Sequence, residues 1–171
     1  EAGHEIGSHG QSHLPIWRQD PDRLREDIRR SQGLLGDLLG EAPKLYRAPC
    51  FSVTQDTLWA LDIIYEEGIR LDSSVFPVSH PEYGIPDAER GIHEIALDGG
   101  GILTEFPMTA GEGVFRKAAF SGGGWFRLAP YWLSRRSLRR VVDSGRPFVF
   151  YLHPWELDPD QPRLSDRCSL T

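Results

Sequence analysis

Apolar and polar positions alternate along this chain in two rhythms, one of strands and one of helices. Residues 4–8, HEIGS, are short, apolar and small, and predict a strand that ends at a histidine cluster. Asp20 and Pro21 predict a helix start, an Asp cap followed by Pro in the first turn. Leu24, Ile28, Leu35 and Leu38 follow at helical spacing, and Gly40 closes the helix. KLYRAP, residues 44–49, reads as a strand running into a loop. Thr54 caps a second predicted helix over TQDTLWALDIIYEEG, with Leu58, Leu61 and Tyr65 as its inner stripe and Gly68 at its end. IRLDSS, residues 69–74, is a further strand, followed by an irregular Pro- and Gly-rich stretch from Phe76 to about Arg90. IHEIAL and ILTEFPM flank DGGG and predict an antiparallel hairpin. SGGGWFRL leads into a third helix from Pro130 to about Ser144, and RPFVFYLHPWE reads as a buried apolar strand that ends on a histidine.

This order predicts an α/β fold with buried strands, in one domain over residues 1–171. No internal repeat or linker interrupts it. The first residue is Glu1, in mid-pattern, and RLSDRCSLT closes no element, so the sequence reads as part of a longer domain.

Charge and composition narrow the partners. A net charge of -6 disfavours a phosphate backbone, so nucleic acid is not an expected partner. No apolar run approaches the ~18 residues of a membrane span. Cys50 and Cys168 stand far apart and form neither a disulfide framework nor a metal knuckle. Cys50 has apolar neighbours, which favours a loop filler over a thiolate nucleophile.

The unusual polar residues share an address. His9 and His13 follow the first predicted strand, Arg47 and Pro49 the second, Asp72 the third and His153 the last. Strand ends of one polarity meet on one face of a parallel α/β fold, where active sites gather. An i, i+4 histidine pair can face one metal ion on a turn of helix; it can also be two loop histidines bonded to backbone. His153, at the mouth of an apolar strand, suits a general acid held in a low-dielectric rim; equally, it reads as a buried histidine satisfied by one backbone contact. Arg47 and Asp72 read as site partners, the Arg keeping a carboxylate ionised, or as an ordinary ion pair. His4 reads as structural. Trp125, Phe126, Tyr131 and Trp155 can stack on sugar rings or cap a core. Glu66 and Glu67, and Arg135, Arg136, Arg139 and Arg140, read as solvated helix faces.

SHGQSH, YRAP, LDSS and YLHPWELDPDQPR, in that order, resemble the later motifs of the polysaccharide deacetylases with a NodB-homology domain, carbohydrate esterases of family four. HPWELDPDQPR and FRLAPYWL look closest to a branch found in bacterial exopolysaccharide loci associated with exosortase and PEP-CTERM sorting. The resemblance implies an incomplete distorted (β/α) barrel lacking its first strand or strands. It implies a divalent metal, usually zinc, and hydrolysis of N-acetyl groups from the amino sugars of an N-acetylated polysaccharide. By motif, His9 and His13 would be metal ligands, Arg47 would orient the catalytic aspartate, Asp72 would match a later acidic motif loosely, and His153 would be the general acid. The family's first motif, which supplies the catalytic base and a third metal ligand, is expected upstream of Glu1. Gly10 stands where the family has Ser or Thr, which removes one loop-stabilising hydrogen bond. The rival expectations are a ureide or imide amidohydrolase of the same superfamily, a non-catalytic sugar-binding module and an inactive truncated chain. The branch resemblance places the protein in the cytoplasm.

Overall fold

The computed structural model describes residues 3–111 and 119–160. Cys168 and the QPR of the last motif lie outside them. Helix α1 spans Pro21–Leu39. Asp20 caps it by accepting the Arg23 N–H at 2.8 Å, and Gly40 ends it at a left-handed φ of 85°. Its inner face differs from the expected leucine line. Leu24 and Ile28 are buried, but Asp27, Ser31 and Gln32 continue that face and Leu38 is exposed. The polar half of the stripe is there because it holds other loops, as the site shows.

Strand β1 is Leu45–Tyr46, and the expected second helix is broken in two: a 3₁₀ turn at Gln55–Thr57, then α2 at Ala60–Glu66. Thr54 and Thr57 form a reciprocal cap that uses up the first turn, leaving Leu58 at the surface. Strand β2 is Leu71–Asp72, β3 is His93–Ala96 and β4 is Ile102–Glu105. They form one four-stranded sheet in the order β1-β2-β4-β3. β1, β2 and β4 run parallel, and β3 pairs antiparallel with β4 as the hairpin pattern predicts. Gly100 and Gly101 turn that hairpin at φ of 86° and 107°, and a side chain on Gly101 would strike the Tyr65 ring. The core lies between the sheet, α1 and α2, around Ile16, Leu24, Ile28, Ile64, Ile69 and Leu103. Glu67 belongs to this packing and not to a solvated face. It accepts from Arg25 and Arg29 at 2.7 Å each and so joins the end of α2 to α1.

Two predicted strands shrink to single bridges. Of residues 3–8 only Ser8 pairs, in parallel with Tyr46. Of the run RPFVFYLHPWE only Tyr151 pairs, with Gly122. That second run is not buried on both faces. Val149 and Tyr151 pack on a cluster of Phe76, Val78 and Met108, while Phe148 and Leu152 face outward. SGGGWFRL also carries a short helix of its own, α3 at Gly123–Leu128, ahead of α4 at Tyr131–Asp143. The mixed α/β sheet with covering helices agrees with the α/β expectation.

Candidate active site

Side chains alternate across the sheet, and that parity decides what reaches the cleft. In the register, Leu45 lies beside Leu71 and Thr104, and Tyr46 beside Asp72 and Glu105. Two residues on from the first row come Arg47, Ser73 and Phe106, and all three line a cleft of about 1390 Å³. From the Tyr46 row, Asp72 and Glu105 do not reach the cleft and are fully buried. His9, His13, Arg47 and His153 all line that cleft. Asp72, expected as a site partner of Arg47, does not line it and lies buried beneath it.

The two histidines meet without a helix. Gly10 (φ 75°) and His13 (φ 53°) both take left-handed backbone, and the turn brings the His9 and His13 rings to 5.0 Å between centroids. Asp27 of α1 holds this turn, accepting the Gln11 N–H at 2.9 Å and the Ser12 N–H at 2.8 Å. A side chain at position 10 would run into that carboxylate, which explains the glycine. Asp27 therefore provides the loop stabilisation that a Ser or Thr at position 10 would have supplied. Nothing in the motif string pointed to it; its only signal was an acid on the inner stripe of α1. Replacing Asp27 with alanine leaves two loop amides unpaired and is expected to cost about 1–3 kcal/mol, read as a lower denaturation midpoint with the His pair loosened.

His9 donates its Nδ1–H to the Arg47 carbonyl at 2.6 Å, which leaves Nε2 as the ring's remaining ligating atom. Burial holds His9 below the ordinary histidine value, against the pull of the Arg47 carbonyl, and the positive charges of His13, Arg47 and His153 push the same way as burial. The ring is thus kept neutral, the form that binds a metal ion. Arg47 donates Nε–H to the Ser73 carbonyl at 3.0 Å and a terminal N–H to the Ser73 hydroxyl at 2.9 Å. Its expected pairing with Asp72 is replaced by Ser73. The Asp72 carboxylate acts on Arg47 only through space, opposing the burial that draws its guanidinium below the ordinary value.

His153 is half exposed, not buried in an apolar rim. Its ring stacks on Trp155 at 4.3 Å between centroids. The carboxylate beside it is Glu156, which accepts the His153 backbone N–H at 2.8 Å and lies 3.4 Å from Nδ1. Arg127 of α3 holds the other Glu156 oxygen at 3.2 Å. Sequence reasoning missed Glu156; the signal was a carboxylate three residues after a histidine that caps a turn.

Backbone strain marks the same place independently. Among the described residues the non-glycines with positive φ are His13, Cys50 (58°) and Phe51 (51°), and all three line the cleft. Cys50 is exposed there and is not a packed filler. The donor chemistry of His9 and His13 fits a divalent transition metal. Among the described residues no group of three His, Cys, Asp or Glu gathers as a ligand set.

The family model described as "Domain of unknown function (DUF3473)" matches residues 73–170, more than half of the sequence. The chain belongs to that family. The model described as "Polysaccharide deacetylase" matches residues 1–64, the part that carries the His pair and Arg47. A peptidoglycan-N-acetylglucosamine deacetylase of Bacillus cereus is 28% identical over 83 residues, covering 42% of this chain and 30% of that protein. A putative polysaccharide deacetylase from Mycobacterium smegmatis superposes with a TM-score of 0.62 at 25% identity, covering 90% of this chain and 51% of the other. An allantoinase, Puue, superposes with a TM-score of 0.54 at 18% identity, covering 88% and 45%. A probable polysaccharide deacetylase from Pseudomonas aeruginosa PAO1 gives the same score at 17% identity. The chain thus spans under a third of the curated relative and about half of these solved structures. The allantoinase likeness carries the fold alone.

Proposed function

We propose that this member of the family is a polysaccharide deacetylase that hydrolyses the N-acetyl groups of amino sugars in a bacterial exopolysaccharide, on an incomplete (β/α) barrel. The observation that supports it most is the convergence of His9, His13, Arg47 and His153 on one strained cleft, with the deacetylase family match lying over three of them. The branch motifs HPWELDPDQPR and FRLAPYWL favour an exopolysaccharide over a cell-wall glycan as substrate.

In this reading His9 and His13 hold a divalent ion, most simply zinc, through their ring nitrogens. Such an ion supplies Lewis acidity toward the amide carbonyl and water. The protein's own part is orientation and proton transfer. Arg47, tied to Ser73, holds a fixed positive charge on the cleft floor and turns its own carbonyl onto His9. His153, steadied at Nδ1 by Glu156 and at its face by Trp155, gives a proton from Nε2 to the amide nitrogen as its bond to the acetyl carbon breaks. Acetate and a free amine are the products.

The test is acetate release from acetylated glucosamine oligomers, with allantoin or another ureide as the competing substrate. Turnover of the ureide alone would move the protein to the amidohydrolase class. Metal content gives a second test. The chain purified without chelator or histidine tag is expected to bind zinc, and His9→Ala to lose it. Undiminished zinc in that variant would remove His9 from the ligand set.

A further inference from the structure

The glycines at the start of α3 are not there for the backbone. Gly122 has φ −122° and ψ 149°, an extended conformation open to any residue, and neither it nor Gly123 is among the glycines with positive φ. What they leave is room. A Cβ on Gly122 would strike the Tyr151 ring, and one on Gly123 would strike both carboxylate oxygens of Glu156. The segment that carries His153 therefore lies flush on the start of α3. Backbone bonds fix it there. The Gly123 N–H donates to the Tyr151 carbonyl at 3.2 Å, and the Tyr151 N–H to the Ser121 carbonyl at 2.9 Å. Ser121 is itself buried and donates its hydroxyl to the Thr109 carbonyl at 2.6 Å, which roots this ladder in the body of the fold.

Glu156 is held from three sides. Gly123 lies against its carboxylate, Arg127, one turn further along α3, reaches Oε1 at 3.2 Å, and Oε2 accepts the His153 N–H at 2.8 Å. Only 5% of the Glu156 side-chain surface is open to solvent, against 48% for His153. The carboxylate is thus more confined than the ring it faces, and its Oε2, 3.4 Å from Nδ1, steers that ring. An ionised carboxylate only accepts, so the neutral ring carries its proton on Nδ1 and keeps Nε2 for chemistry.

We infer that α3 is the seat of the general acid: Gly123 by its missing side chain and Arg127 by its charge set the place of Glu156, and through it the tautomer and aim of His153. The inference rests on the proposed deacetylase reading and adds two positioning residues that act through Glu156. Both can be removed without losing the fold. The Arg127 ion pair is open to solvent and adds little to stability. Alanine is a better helix former than glycine, and the group it would strike at position 123 is the far end of a flexible side chain that can swing away.

The experiment measures acetate release from an acetylated glucosamine oligomer by the 171-residue protein, by its Gly123→Ala and Arg127→Ala variants, and by each of these combined with His153→Ala. Each single variant is expected to lower kcat about tenfold with KM unchanged, and Arg127→Lys to restore most of the loss. Neither change is expected to lower the rate further once His153 is alanine, because both act through that ring; a merely structural role would multiply with its loss. Long-range proton–nitrogen NMR spectra of the neutral imidazole give a readout without turnover. Wild-type His153 is expected as the Nδ1–H tautomer, and both variants are expected to shift it toward Nε2–H. Undiminished kcat in both variants, the same tenfold loss in the His153→Ala background, or an unchanged tautomer in both would overturn the inference and leave the deacetylase reading standing. A wild-type protein that releases no acetate overturns the deacetylase reading, while the tautomer still decides whether α3 seats His153.

Discussion

Replacing His153 with alanine lowers the rate of acetate release about a hundredfold or more, with metal content unchanged and the fold retained. The size follows from the leaving group. An amide nitrogen departs as a strongly basic anion unless a proton reaches it as the bond breaks, and a positioned acid supplies that proton. The expected innocence toward the fold follows from exposure. The His153 side chain is half open to solvent, and its contacts are Trp155, Tyr151 and Glu156, none of them in the main core. His153 also caps the turn at Pro154–Glu156, and losing such a cap costs about 1 kcal/mol, a local effect that leaves the core in place. Glu156→Gln separates positioning from chemistry. It keeps an oxygen for the His153 N–H but removes the charge beside Nδ1, so its expected effect on turnover is smaller than that of His153→Ala. Undiminished turnover in His153→Ala would remove His153 from the mechanism.

How much of this site was legible in the sequence depends on parity more than on composition. The motif string marks strand ends, and His9, Arg47 and His153 do meet in one cleft. The same string marks Asp72 with equal force, yet Asp72 and Arg47 point to opposite faces. In a paired strand one residue decides the face, and Ser73, not Asp72, shares the Arg47 row. The register of β1 on β2 was not contained in either segment alone. The helix α1 was legible because Asp20, Pro21 and Gly40 act locally. The polar part of its inner stripe was not, because Asp27 and Ser31 serve loops far along the chain. Asp27 ties down the His turn, and Ser31 bonds the buried Ser8 hydroxyl. The last apolar run reads as a buried strand because hydrophobicity reports burial without saying on how many faces. Here Val149 and Tyr151 face in, and the neighbouring backbone bonds go to a threonine hydroxyl and a loop carbonyl instead of a strand.

The buried row that parity sets beneath the cleft carries the second large effect. Asp72 and Glu105 are register partners on adjacent strands, both fully buried. Asp72 is satisfied by Ser74, whose hydroxyl donates at 2.6 Å. Glu105 accepts the Val75 N–H at 3.0 Å through one oxygen, and its other oxygen has no separate donor. Two such carboxylates side by side do not both ionise without strain. Burial raises both, and the Asp72 charge raises Glu105 further, well above the ordinary carboxylate range. Glu105 is thus the member that keeps a proton, and with it a donor for Asp72. The sign of the pH dependence follows. The folded protein holds that proton after the unfolded chain has released it, so stability falls as pH rises from the ordinary carboxylate range to the raised folded value. Glu105→Gln keeps the shape, the Val75 acceptor and a permanent N–H donor, so its stability stays flat across that window and exceeds that of the wild type at the alkaline end. Glu105→Ala instead leaves the Val75 N–H unpaired over a cavity and is expected to cost about 3 kcal/mol. Urea denaturation of the three proteins from pH 4 to pH 9 decides it. If the wild-type and Gln curves run parallel across that range, the shared proton is absent and Glu105 is held as an ordinary ion by the Arg47 charge.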